Sequence, residues 1–279
     1  MLSYRNKRLI RKFTRKRIII YGSVLAVLVV LSLFAPYFAP YDPIQISMEG
    51  RESPNIDHIF GTDRLGRDIL SRIIYGTKYS LSIGIISVSI GLIFGTTMGV
   101  LSAYYGGLVD TIIMRFIDAL LAFPGILLAL VVIAVLGPGL FNVMLAVGIS
   151  TIPEYARLAR GKVLSVMQLE YIEAIHSIGG SNIRVILKHI LPNISAPITI
   201  LATLQVGNAI LVGSGLSFLG MGAQPPTPEW GLMTAEGRNF MSQAWWISTF
   251  PGIAILITVI SINQFGDGLR EAIDPYLKE

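Results

Sequence analysis

Apolar residues in this chain gather into long runs divided by polar stretches, with little of the strict alternation that marks half-buried strands. Six runs predict helices that cross a bilayer: about Ile18 to Phe38, Leu81 to Ala103, Ile117 to Leu136, Val143 to Pro153, Ile198 to Phe218 and Ile253 to Phe265. A span needs roughly 20 mostly apolar residues, and the fourth and sixth runs fall short of that. The expected fold is an all-α integral membrane protein with six transmembrane helices. Its divisions are a basic tail (1–17), a first transmembrane helix (18–38), a polar segment on the outer face (39–80) and a five-helix core (81–279). The core is interrupted by a soluble loop at about 161–193.

Composition agrees: of 279 residues, 53% are hydrophobic and 14% charged, against roughly 25% charged in soluble domains. Charge then sets orientation. Eight cations (Arg5, Lys7, Arg8, Arg11, Lys12, Arg15, Lys16, Arg17) and no acid occupy the first 17 residues, which puts that tail in the cytoplasm by the positive-inside rule. Six spans return the C-terminus to the same side. Arg157, Arg160, Lys162, Arg184 and Lys188 follow the fourth run and fall inside; the stretch from Ala223 to Pro251 has Arg238 as its one cation and falls outside. The first loop, with five cations against six acids, fits the rule poorly, but it is long enough for its charge to weigh less. No small-x-small cleavage site follows the first run, so it reads as an uncleaved anchor. The net charge of +5 is explained by anionic lipid headgroups facing the tail, without nucleic acid. With no cysteine, there is no disulfide, thiolate metal site or Cys nucleophile.

Within the outer segment, Thr62 or Asp63 is placed to cap a short helix, in a surface element held by local charge pairs. Gly91, Gly95 and Gly99 form a stripe that lets another helix approach closely. Asp110, Arg115 and Asp118 near the inner surface can pair with one another or snorkel, and Phe123-Pro124 marks a kink that is either a hinge or a bend in packing. Gln205 and Asn208 interrupt the fifth run three residues apart and so share a face. They either bond to neighbouring helices or line a water-filled pathway.

The soluble loop carries the most specific pattern. From Glu154 the helical character continues beyond the membrane, and Glu170 to Ile178 reads as a short amphipathic helix stopped by Gly179-Gly180. Ser181 and Asn182 can cap the next helix, which Pro192 ends; Asn193 or Ser195 can cap the fifth span, with Pro197 in its first turn. The frame Glu173-Ala174-Ile175, Gly179 and the terminal Leu191-Pro192 resembles the cytoplasmic EAA loop of bacterial ABC-importer permeases. Ile175 replaces the motif's second Ala, and His189 replaces an Ile.

Four further segments resemble the C-type permease subunit of dipeptide and oligopeptide importers, whose relatives also carry nickel or glutathione. They are Gly61-Thr62-Asp63-Arg64-Leu65-Gly66-Arg67-Asp68; Arg115-Phe116-Ile117-Asp118 with Ala122-Phe123-Pro124; Leu216-Ser217-Phe218-Leu219-Gly220 with Pro225 to Gly231; and Gly266-Asp267-Gly268-Leu269-Arg270 ending in Asp274-Pro275. The resemblance implies a type I ABC-importer permease in the bacterial cytoplasmic membrane. It also implies a heterodimer with a second permease, two cytoplasmic ATPase subunits that hold the ATP, and an external solute-binding protein. Glu170, Tyr171, Glu173, Ala174, Ile175, Ile178 and Gly179 are then expected to contact an ATPase subunit. Glu173 offers a charge to a basic group, and Tyr171, Ile175 and Ile178 offer apolar anchors.

Other activities find little footing. No Gly-x4-Gly-Lys-Ser/Thr occurs, and the three histidines (His58, His176, His189) have neither paired metal-ligand spacing nor a position near the membrane hydroxyls Ser214 and Ser217. An enzyme is therefore not expected, nor a cofactor or metal bound by this chain. The alternative cargoes are nickel chelate or glutathione. The alternative class is an ion-coupled secondary transporter, which is disfavoured because the second, fifth and sixth runs lack acids in their cores.

Overall fold

The structure is a computed structural model describing residues 4–48 and 50–273. The side chains of Arg5, Lys7, Arg8, Arg11, Lys12, Arg15 and His176, and the terminal Asp274-Pro275, lie outside the described residues. The described residues form a helical bundle with one isolated β-bridge, Thr62 to Asp68.

Helix α1 (Tyr4–Leu33) is followed by the short α2 (Ala35–Phe38), begun by Pro36. Residues 39–68 are irregular. Helix α3 (Ile69–Ile90) then runs through a π turn (Gly91–Gly95) into α4 (Thr96–Tyr105). Next come α5 (Gly107–Leu121), α6 (Gly125–Leu136) and α7 (Leu140–Met167). The short α8 (Glu170–Ser177) precedes α9 (Asn182–Val185), a second π turn (Ile186–Ile190) and α10 (Leu191–Phe218). Helices α11 (Trp230–Gly237) and α12 (Trp246–Ile273) complete the described chain.

Among the described residues, four stretches are long and apolar enough to cross a membrane, Lys16–Leu33, Ile69–Tyr105, Asn182–Phe218 and Trp246–Ala272, and joining α5 to α6 gives a fifth. The six runs are thus not matched one for one by these stretches, and two of them take a different form. The third run is not one kinked helix, because α5 and α6 meet at 94°. Pro124 stands in extended backbone just before α6 and so separates two helices instead of bending one. The fourth run belongs to α7, whose 28 residues span about 42 Å but include Glu154, Arg157, Arg160 and Lys162. Helix α7 links two ends of the bundle. Gly139 N–H donates to Met221 O at one end, and Arg160 reaches Asp110 at the other.

At the first of these ends, residues 39–68 and α11 form a cap. Glu52 and Thr62 exchange two bonds, Thr62 N–H to Glu52 O at 3.0 Å and Glu52 N–H to Thr62 Oγ1 at 2.9 Å. The helix cap expected at Thr62 or Asp63 is Asp68, which accepts from Ser71 N–H at 2.7 Å and starts α3. Asp63 instead accepts the N–H groups of Leu65 and Arg67. The charge pairs expected on a surface are buried: Arg67 meets Asp63 at 2.6 Å and Glu236 of α11 at 3.0 Å, and Arg72, 1% exposed, meets Glu236 at 3.3 Å. Trp246 Nε1 donates to Thr62 O, and Trp230 Nε1 to Ile73 O. Glu229 caps α11 through Gly231 and Leu232 N–H, with burial pushing its carboxyl up against the lowering effect of those bonds.

The glycine stripe meets α7. A Cβ on Gly95 would lie 2.5 Å from Ile152 O, and one on Gly99 2.3 Å from Ala156 O, so these backbones touch only because the side chains are absent. At the far end, Asp110 and Asp118 do not pair with Arg115. They take Arg160 and Arg157 from α7, at 2.7 Å each, because α5 lies along that helix and brings the longer side chains across.

Candidate functional site

Helix α8 is tethered by one buried residue. Ile172 is 2% exposed and joins Val163, Val185 and Ile190 in the main core, with Ile175 and Met167 packed beside them. Glu170 and Glu173 occupy the first turn, where carboxylates suit the positive end of the helix. Gly179 has φ +82°, and Gly180 N–H returns to Ile175 O at 3.0 Å, a left-handed stop that brings the chain round toward α9. No Cβ fits at Gly180 beside Ile175. Ile175 is therefore half-buried against its own loop, whereas Glu170, Tyr171, Glu173, Ala174, Ile178 and Gly179 remain exposed.

The outward surface is apolar as well as acidic. Ile178 is 85% exposed, and Leu169, Ile183 and Leu187 are exposed around it. Tyr171 Oη accepts from Asn193 Nδ2 at 3.0 Å, and its ring stands 6.1 Å from that of His189. Asn193 is thus a strut to α8 and not the expected helix cap. Pro192 does not end a helix either: Asn182–Phe218 is one continuous stretch. Leu191 N–H reaches back to Ile186 O, so the wider π turn absorbs the proline's missing donor and its ring. Ser181 starts α9 in extended backbone without a side-chain cap.

A second polar group lies between α7 and α10. Asn208 Nδ2 donates to Gln205 Oε1 at 3.2 Å, and Gln205 Nε2 donates to Glu154 Oε2. Gln205 is buried, while Asn208 and Glu154 are exposed. Glu154, expected beyond the membrane, is hydrogen-bonded to Gln205 of the fifth run, a relation that no spacing within α7 reveals. Elsewhere, Ser214 and Ser217 are buried against Gly231 and Gly222, and Ala223 N–H donates to Ser217. His58 Nδ1 lies 2.9 Å from Asp68. Among the described residues, no three of His, Asp and Glu come together as a metal-binding group.

The comparisons now bear on this architecture. The inward-facing structure of the MetNI methionine ABC transporter superposes with a TM-score of 0.60 at 17% identity, over 74% of this chain and 98% of that one. A crystal structure of an amino acid ABC transporter with histidines gives 0.55 at 12% identity, over 71% and 92%. A bundle of end-to-end helices interrupted by a short exposed helix is thus the fold of an ABC-importer transmembrane subunit. Residues 91–279 match the family described as binding-protein-dependent transport system inner membrane component, and residues 6–54 match the N-terminal TM domain of oligopeptide transport permease C. The glutathione transport system permease protein GsiD of Pectobacterium atrosepticum is 45% identical over 96% of this chain and 90% of its own length. The dipeptide transport system permease protein DppC of Alkalihalophilus pseudofirmus is 43% identical over 96% and 89%. The chain belongs to this family of binding-protein-dependent transport permeases and is a C-type, multi-pass inner-membrane subunit. Membership removes the ion-coupled secondary transporter from consideration.

Proposed function

We propose that this permease, paired with a second homologous permease, forms the path by which di- or oligopeptides enter the cell. Two cytoplasmic ATPase subunits bind and hydrolyse ATP, and an external solute-binding protein delivers the cargo. This chain itself performs no catalysis. Both termini lie in the cytoplasm, with α8 on the same side as the basic tail and the cap facing outward. Relatives named for dipeptide and for glutathione, itself a short peptide, support this cargo class.

Helix α8 is the contact through which ATPase closure moves the permease. The supporting observation is its build, with Ile172 fixing one side in the core and Tyr171, Glu173, Ala174 and Ile178 presented on the other. A short capped helix transmits a displacement that a flexible loop would absorb. Because the chain has no cysteine, Ala174→Cys supplies a unique thiol. In the complete transporter with cysteine-free partners, a cysteine placed in the ATPase surface cleft should crosslink to it. Glu173→Arg should leave assembly intact while abolishing ATP-dependent peptide uptake. Crosslinking confined to the cap end, or uptake that persists without any ATPase subunit, refutes the reading.

A further inference from the structure

The uncovered side of α7 and α10 is polar at a depth where a lipid-facing helix would be apolar. Ser150, Glu154 and Arg157 follow one another at helical spacing on α7, half-buried or exposed. Asn208 is exposed on α10, on the face it shares with Gln205. Glu154 lies fourteen residues into α7 from Leu140, roughly 21 Å along a helix axis and within a hydrocarbon layer of about 30 Å. Polar and ionised side chains at that depth face a protein interior or water, since lipid leaves them unsolvated. This stripe therefore faces the enclosed side of the assembled transporter.

Within the stripe the charges are unequal. Arg157 is neutralised by Asp118 at 2.7 Å. Among the described residues, no cation lies within ion-pair distance of Glu154, whose polar contact is the Gln205 amide. The donors run in one direction, Asn208 to Gln205 and Gln205 to Glu154. That order fits an ionised carboxylate, which only accepts. It holds Oε2, in a residue that is itself exposed. A single carboxylate with neutral amides behind it is too poor a donor set for a hard metal ion, which takes six or more oxygens. It suits a group that carries one positive charge and donates hydrogen bonds.

We propose that Glu154, positioned by Gln205 and Asn208, is a binding station on the translocation path for the protonated amine of the cargo, the α-ammonium group of a short peptide. The station rests on the peptide-import reading above. It adds a charge preference inside the permease to any selection made by the binding protein.

The test uses the complete transporter in nanodiscs, with cysteine-free partners and no binding protein. Ser150→Cys, one turn from Glu154, is labelled with cationic 2-aminoethyl and anionic 2-sulfonatoethyl methanethiosulfonate, and rates are normalised to a free thiol in solution. The cationic reagent should be favoured about tenfold in at least one nucleotide state. Adding Glu154→Gln should bring the ratio close to one, and Glu154→Asp should restore most of it. A dipeptide with a free amino terminus should slow labelling, and its N-acetyl counterpart should not. Leu211→Cys on α10, exposed and three residues from Asn208, serves if Ser150→Cys does not assemble. Thiols sealed in every state, a ratio indifferent to Glu154→Gln, or equal protection by both peptides would each overturn the proposal. ATP-driven uptake by the wild type, with binding protein restored, is read separately. Its loss defeats the import reading, whereas normal uptake without charge preference defeats only the station.

Discussion

The two ends of this molecule are built on opposite rules. At the cap end, side chains with hydrogen-bonding or ionic demands find them met within the chain: Arg67 and Arg72 on Asp63 and Glu236, Trp246 on Thr62, Glu229 on the first turn of α11. At the α8 end, a small helix is held by Ile172 while Tyr171, Ile178, Ile183 and Leu187 stay uncovered. Satisfied polar groups make a fixed scaffold. Uncovered apolar groups on a capped, tethered helix make the surface that the proposed ATPase contact would cover. The contrast teaches that rigidity and availability are assigned here to different ends of the same helices.

The contrast can be broken most forcefully at Glu236. Replacing it with Ala leaves the buried Arg67 and Arg72 to share the single carboxylate of Asp63, and removal of one partner of such a pair costs about 3–5 kcal/mol. Glu236→Ala should therefore abolish recovery of folded protein, measured by size-exclusion profile and thermal unfolding in detergent. Ile172→Ala comes next: large-to-small changes in a core cost about 2–5 kcal/mol. Here the loss should concentrate in α8, seen as faster amide exchange over 170–177 with the cap end unchanged. Gly99→Val should cost about 1–3 kcal/mol by forcing α4 from α7, read as a lowered melting temperature. The smallest effect on stability, within about 0.5 kcal/mol, is expected of Ile178→Ala. That variant should nevertheless lower peptide-stimulated ATP hydrolysis by the assembled transporter. If it destabilised the isolated chain as much as Ile172→Ala, the division between tether and presented face would fall.

Much of this arrangement was legible in the sequence where local chemistry decides it. The apolar runs gave the helices, Gly179-Gly180 gave the end of α8, and the Gly91, Gly95 and Gly99 stripe announced a close helix neighbour. Features that depend on a distant partner were not legible. Nothing near Arg67 indicates that Glu236, 169 residues on, will be its counter-ion. Pro192 was read as a stop because its ring and missing donor usually act so, but a π turn absorbed both. Pro124 was read as a kink, yet the chain turns by 94° there. Ile172 was overlooked because, within α8 alone, it looks no different from Ile175 or Ile178; only the neighbouring Val185 and Ile190 distinguish it. Glu154 was read only as the start of the polar part of α7, and its bond to Gln205 on another helix could not be foreseen.

The stretch from Ile69 to Tyr105 runs from the cap to the neighbourhood of α8. Its 37 residues measure roughly 55 Å along a helix axis, far more than one crossing requires. Arg72 near its beginning is clamped into the cap, and Tyr104 near its end shares a hydrogen bond with Asn182, just beyond α8. The segment is thus a strut whose foot stands beside α8, the helix of the proposed ATPase contact, and whose head is set in the cap. The looser π turn at Gly91–Gly95 divides that strut where it lies against α7. A load applied at the foot reaches the other face of the membrane along a single backbone, with its bearing point already marked.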